Sequence, residues 1–150
     1  MALPLGQMVE EKLLCTVTVG QGLLGFMPGI DASLDAKLRT MRAVCASLGL
    51  TGAVLTSHDG VALILEGSEA SLAWFHRLFD INPSNGSMRQ LDHVVCVRRR
   101  FGGWPLAYVA PSRWLRSALG SRPLAEMTHY SPRDAKFLID LVLDFVGQGP

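Results

Sequence analysis

Apolar and polar positions along the chain change period several times, and those changes mark out its elements. From Lys12 to Val19, Leu13, Val17 and Val19 alternate with Thr16 and Thr18, which is the two-residue period of a strand rich in β-branched side chains. Gly20, Gly22, Gly25, Pro28 and Gly29 then signal a loop, within which Leu23, Leu24, Phe26 and Met27 are apolar. Leu34, Leu38, Met41, Cys45 and Leu48 recur at helical spacing after the capping candidates Asp31 and Ser33, and Gly49 suits the left-handed residue that ends a helix.

Strands are expected over Leu50–Ser57 and Val61–Leu65, joined by a tight hairpin at Asp59-Gly60. Gly67-Ser68 opens a second helix with Leu72, Phe75 and Phe79 on one stripe. A fourth strand follows over Arg89–Arg98, and a short fifth one lies within Phe101–Val109. A short helix is expected near Ser112 to Leu119. The last helix, Arg133 to Val146, is capped by Ser131-Pro132. It is apolar around most of its circumference, with Lys136, Asp140 and Asp144 marking a narrow wet side.

The order βαββαββ followed by two helices implies an α+β fold. It is a mixed five-stranded sheet with two helices on one face and the C-terminal helices on the other. One domain spans 1–150, with a core of about 12–109 and a helical extension over 110–150.

Composition narrows the function classes. The 150 residues are 49% hydrophobic and 18% charged, which suits a packed core. Lys plus Arg number 14 against 13 Asp plus Glu, so the basic excess of a nucleic-acid binder is absent. The one dense basic run, Arg98 to Arg100, reads as a solvated strand end. Cys15, Cys45 and Cys96 are widely spaced and suggest neither a zinc site nor a disulfide framework, so a reduced, cytoplasmic setting is expected. No apolar run is long enough to span a bilayer, and the first eight residues do not read as a secretory signal. The histidines 58, 76, 93 and 129 form no short metal motif, and His76 is expected at a surface. Gly20-Gln21-Gly22 is only a fragment of a dinucleotide-binding loop. No set of residues reads as catalytic.

Gly49-Leu50-Thr51-Gly52, then Asp59-Gly60, Leu65-Glu66-Gly67 and Arg99-Arg100-Phe101-Gly102-Gly103-Trp104, resemble in order and spacing the BLUF family of blue-light sensors using flavin. The resemblance runs from about Lys12 to Val109 and implies a ferredoxin-like sheet. In that family a tyrosine of the first strand, an asparagine of the first helix and a glutamine of the third strand surround the flavin ring. Matching by motif puts Cys15, Cys45 and Leu63 at those places, retains Trp104, and puts Leu106 where methionine is usual. Cys15, Cys45 and Leu63 are expected together in the layer between the sheet and the first two helices.

A buried flavin edge needs hydrogen-bonding partners that Leu63 cannot supply and a thiol supplies weakly. The resemblance therefore implies a degenerate member with no cofactor, no metal and no enzymatic activity. Such a member would act as a structural or protein-interaction module in a larger assembly. Oligomerisation would be compatible with it, and Leu23, Phe26, Leu141 and Phe145 would meet the partner. Eukaryotic BLUF-like proteins point to cilia or flagella, such as the axoneme, as its setting. The alternative is a divergent flavin or redox sensor using a cysteine.

Overall fold

The structure is a computed structural model. It describes residues 12–20, 30–58, 60–79, 88–120 and 122–148, with the backbone alone for 30–35 and 148. The elements in chain order are β1 (Leu14–Gly20), α1 (Ile30–Leu48), β2 (Thr51–Ser57), β3 (Gly60–Gly67), α2 (Glu69–Leu78), β4 (Met88–Val95), β5 (Ala107–Val109), α3 (Arg113–Leu119), a 3-10 turn (Leu124–Glu126) and α4 (Pro132–Gln148). The expected capping side chains Asp31 and Ser33, the apolar Leu23 and Phe26, and Asp59 of the hairpin lie outside what is described.

The local signals account for these boundaries. Gly49 takes a φ of 72° just beyond α1, the conformation that glycine adopts without a Cβ penalty. Ser68 caps α2 by accepting from the Ser71 amide at 3.1 Å. Ser112 does the same for α3 with Leu115, and Ser131 for α4 with Asp134. Ser57 pairs with Gly60, so the turn joining β2 to β3 is tight.

The sheet order is β4-β1-β3-β2-β5. All pairs are antiparallel except β2 with β5. The sheet is therefore mixed, and its centre is covered on both faces. On one face α1 and α2 bring Met41, Cys45, Leu72 and Phe75 onto Val54, Leu63, Leu65 and Leu106. On the other, α3, the 3-10 turn and α4 bring Leu115, Leu124, Ala135, Leu138 and Val142 onto Cys15, Val17, Leu55, Ile64 and Phe101.

Two of the expected partner contacts can be placed. Leu141 is buried in the second of these cores, so it packs within its own chain and offers no free surface. Phe145 is 37% exposed, and its ring leans on that of Trp114 with 5.4 Å between centroids. The wet side of α4 is as expected, with Lys136 donating to Asp140 at 2.6 Å.

β4 is an outer strand whose end carries exposed Val94 and Val95, followed by the fully exposed Val97. A register shift interrupts its pairing with β1 between Val17 and Thr18. The basic run that follows is only partly a free strand end. Arg99 donates to the Thr51 hydroxyl and to the Glu66 carbonyl.

Gly52 marks the tightest approach in the sheet. A Cβ added there would lie 1.9 Å from the Ile64 carbonyl oxygen of the neighbouring strand. The Gly52 amide also donates to the Trp104 carbonyl at 3.1 Å. Backbone on both sides leaves nothing flexible to yield. Gly52→Ala is expected to cost at least about 3 kcal/mol, read as a lowered urea midpoint with an unchanged slope.

Candidate functional site

The resemblance locates a flavin ring edge against β1, α1 and β3, so the α1–α2 layer is the candidate site. Leu63 lies in it, fully buried, with Cys45 of α1 also fully buried. Leu106 is there too, and the Arg42 side chain of α1 donates to its carbonyl at 2.9 Å, tying the helix to the start of β5. Trp104 is 43% exposed and is not part of the buried cluster.

Cys15 is not in this layer. It packs on the opposite face, among Val17, Val19 and the residues of α4. The expectation that Cys15 and Leu63 face each other is thus corrected by one residue of register, which is enough to reverse a side chain in a strand. Residues directly opposite in an antiparallel pair share a face. Leu63 stands opposite Thr18, and Leu65 stands opposite Thr16. The β1 side chains facing α1 and α2 are therefore Leu14, Thr16 and Thr18.

Thr16 and Thr18 are both buried. The Thr16 hydroxyl has no hydrogen-bond partner among the described residues. The sequence carries a signal for this residue, because a threonine in the middle of a central strand brings a polar atom that must face one core or the other.

His76 departs from expectation in the same way. It sits on α2 with its Nε2 buried and unpartnered among the described residues. Burial holds its imidazole below the ordinary range, helped by the nearby His93. His93 stands opposite Thr16 in the β1–β4 ladder. One edge of the layer thus collects a hydroxyl and an imidazole nitrogen without hydrogen-bond partners among the described residues.

The three cysteines are free. Burial first, and then the proximity of Cys96 and Glu66, push the Cys15 thiol up to about 12. Burial alone pushes Cys45 up to about 12. Both are therefore protonated at neutral pH, whereas nucleophilic or redox attack needs a thiolate. Among the described residues no group of three or more His, Cys, Asp or Glu side chains could hold a metal ion.

Among the described residues, the positions that the resemblance assigns to the flavin edge do not carry the family's side chains. Cys45 is a weak hydrogen-bonding partner and Leu63 is none, and a buried polar group left unpaired costs about 1–3 kcal/mol. The Thr16 and Thr18 hydroxyls are the polar atoms that β1 turns toward that space, and neither can supply the redox chemistry of a tyrosine.

The half-buried His76, whose Nε2 is shielded from solvent, gives a pH signature. Its folded pKa is lowered, so below the unfolded value of about 6.5 the unfolded chain binds the extra proton. The stability linked to His76 is thus present above that value and is lost as pH falls toward the folded pKa. Urea unfolding from neutral pH to about pH 5 should show this loss, and His76→Leu should reduce it. An unchanged slope in His76→Leu would mean that other groups carry it.

No protein-family model matches the sequence, and no curated protein matches it. Solved structures do match. The chain is similar to BlrB, a BLUF protein in its dark state, with a TM-score of 0.69 at 20% identity, over 89% of this chain and 97% of that one. It is similar to BlsA in its ground state, with a TM-score of 0.63 at 16% identity, over 87% of each chain. It also matches a bacterial light-regulated adenylyl cyclase, with a TM-score of 0.60 at 13% identity, over 91% of this chain and 40% of that one. At these identities the likeness is one of architecture, and together with the sheet order and the two covered faces it establishes that the chain has a BLUF-like, ferredoxin-like α+β fold.

Proposed function

We propose that the chain is a non-enzymatic protein-interaction module whose α1–α2 layer no longer holds a flavin. The composition of that layer carries the reading. Met41, Cys45, Leu63, Leu72 and Phe75 are all buried in it, and they supply packing where a ring edge would require donors and acceptors. The partner is a protein. The balance of 14 basic and 13 acidic residues gives no general attraction for a phosphate backbone, and no helix among the described residues is long and apolar enough to cross a membrane. Of the two expected contact residues that are described, Phe145, with Trp114 against it, is the one that reaches the surface. Placement in the cytoplasm, within a ciliary or flagellar assembly such as the axoneme, rests on the resemblance to eukaryotic BLUF-like proteins.

A second reading, a divergent flavin or redox sensor, is favoured by two observations. The Thr16 hydroxyl is buried in this layer with no hydrogen-bond partner among the described residues, and the matching structures include a photo-activated state of BlsA. One experiment separates the two readings. Chain refolded with excess FMN or FAD and then desalted should be colourless, and Thr16→Val should be neutral or slightly stabilising because it removes an unpaired buried hydroxyl. Retained flavin at one per chain, weakened by Thr16→Val, would establish the sensor reading instead. For the interaction itself, Phe145→Asp should abolish association with the captured partner while circular dichroism stays that of the parent.

A further inference from the structure

A cavity of about 390 Å3 opens on the face of the sheet opposite the α1–α2 layer, between the end of β2 and α3. Its volume is within the range of small-molecule sites. Its inner wall is apolar, made by the buried Leu115 and Leu119 of α3 with Pro111 and Pro123 at either side. Its rim is cationic, because Arg113 and Arg116 line it as well. Three positions apart on a helix, the two side chains are neighbours. No lining residue among those described is acidic.

The charge arrangement is selective. Arg122, a few residues beyond α3, is neutralised by Asp134 of α4. Neither Arg113 nor Arg116 has an ion-pair partner among the described residues. Ser57, at the inner end of β2, gives its hydroxyl to the Gly60 carbonyl within the hairpin. His58 also lines the cavity, as does the Ser112 hydroxyl, which accepts from the Leu115 amide; the cavity's positive charge is carried by two guanidiniums at the mouth of an apolar recess.

We propose that this cavity binds a small organic anion, with an apolar body against Leu115 and Leu119 and a phosphate monoester or carboxylate held by Arg113 and Arg116. Guanidinium presents a planar fork of donors that matches both of these anionic groups. The recess adds affinity only for a ligand with an apolar part. The site does not depend on the flavin question, since it lies across the sheet from Leu63 and Cys45.

The test is a fluorescence titration of the full chain with 1-naphthyl phosphate and 1-naphthoate, with 1-naphthol and inorganic phosphate as controls. Saturable binding of one naphthyl anion per chain is expected, at least about tenfold tighter than either control and weakened by added salt. Preference between the phosphate and the carboxylate identifies the natural head group. Arg113→Ala/Arg116→Ala should lose at least about tenfold in affinity; both side chains are exposed, and circular dichroism checks that the fold is kept. Should the double variant fail to fold, Arg116→Gln alone should still weaken the naphthyl anion and leave 1-naphthol unchanged. Absence of saturable binding, equal binding of 1-naphthol, or affinity unaltered by the arginine substitutions would each overturn the proposal. An FMN molecule held here through its phosphate would be insensitive to Thr16→Val, which keeps this result separate from that of the α1–α2 layer.

Discussion

The buried carboxylate of Glu66 holds together the end of the sheet on which the remaining topology depends. It is fully buried. It accepts from the Arg100 amide at 2.7 Å, the Phe101 amide at 3.0 Å and the Thr51 hydroxyl at 2.9 Å. Arg99 donates to the same Thr51 hydroxyl and to the Glu66 carbonyl, at 2.9 and 3.0 Å. Taking a carboxylate out of water is costly unless its oxygens are paired, and here both are. The result ties the end of β3 to the start of β2 and to the chain leaving β4. From that anchor Phe101 turns into the core and Trp104 receives the Gly52 amide. The chain then runs on as β5, parallel to β2. The Leu-Glu-Gly and Arg-Arg-Phe motifs, far apart in sequence, are thus two halves of one hydrogen-bonded joint.

The two layers built on this sheet differ in how polar atoms are accommodated. The α4 face ends in Glu66 with its partners in place, whereas the α1–α2 face keeps a threonine hydroxyl and an imidazole nitrogen without partners among the described residues. The first arrangement adds rigidity. The second leaves its layer sensitive to protonation, since burial disfavours the charged form of His76.

Much of the architecture was legible in the chain. Serines 68, 112 and 131, Gly49 and the changes of period located most boundaries, because capping and left-handed positions are local chemistry that tertiary structure seldom overrides. The face of β1 was not legible. Cys15, Thr16, Val17, Thr18 and Val19 are all buried, so alternation of apolar and polar no longer separates inside from outside in a strand covered on both sides. Only pairing with β3 decides which set faces α1. His76 was expected at a surface and sits beside the exposed Arg77, yet one step along a helix is a turn of about 100°, and adjacent residues need not share an environment. Leu141 was read as surplus apolar surface because the area covered by α3 and the 3-10 turn cannot be counted from a helical pattern alone.

The outer position of β4 bears on how the protein behaves when concentrated. Among the described residues the outer side of β4 is met by the Ser131 amide at the Leu91 carbonyl, while its end carries exposed valines; an outer strand of this kind is a template for nonspecific ladder growth between molecules, and a net charge of +1 provides little long-range repulsion to prevent it. What protects the edge is local. The pairing irregularity beside Val17 and Thr18 interrupts the regular ladder, and Arg98, Arg99 and Arg100 stand immediately after the apolar run, where charged gatekeepers oppose the stacking of like strands. Among the described residues the charge beside this edge is therefore concentrated at one corner of the sheet, where added salt screens it most directly.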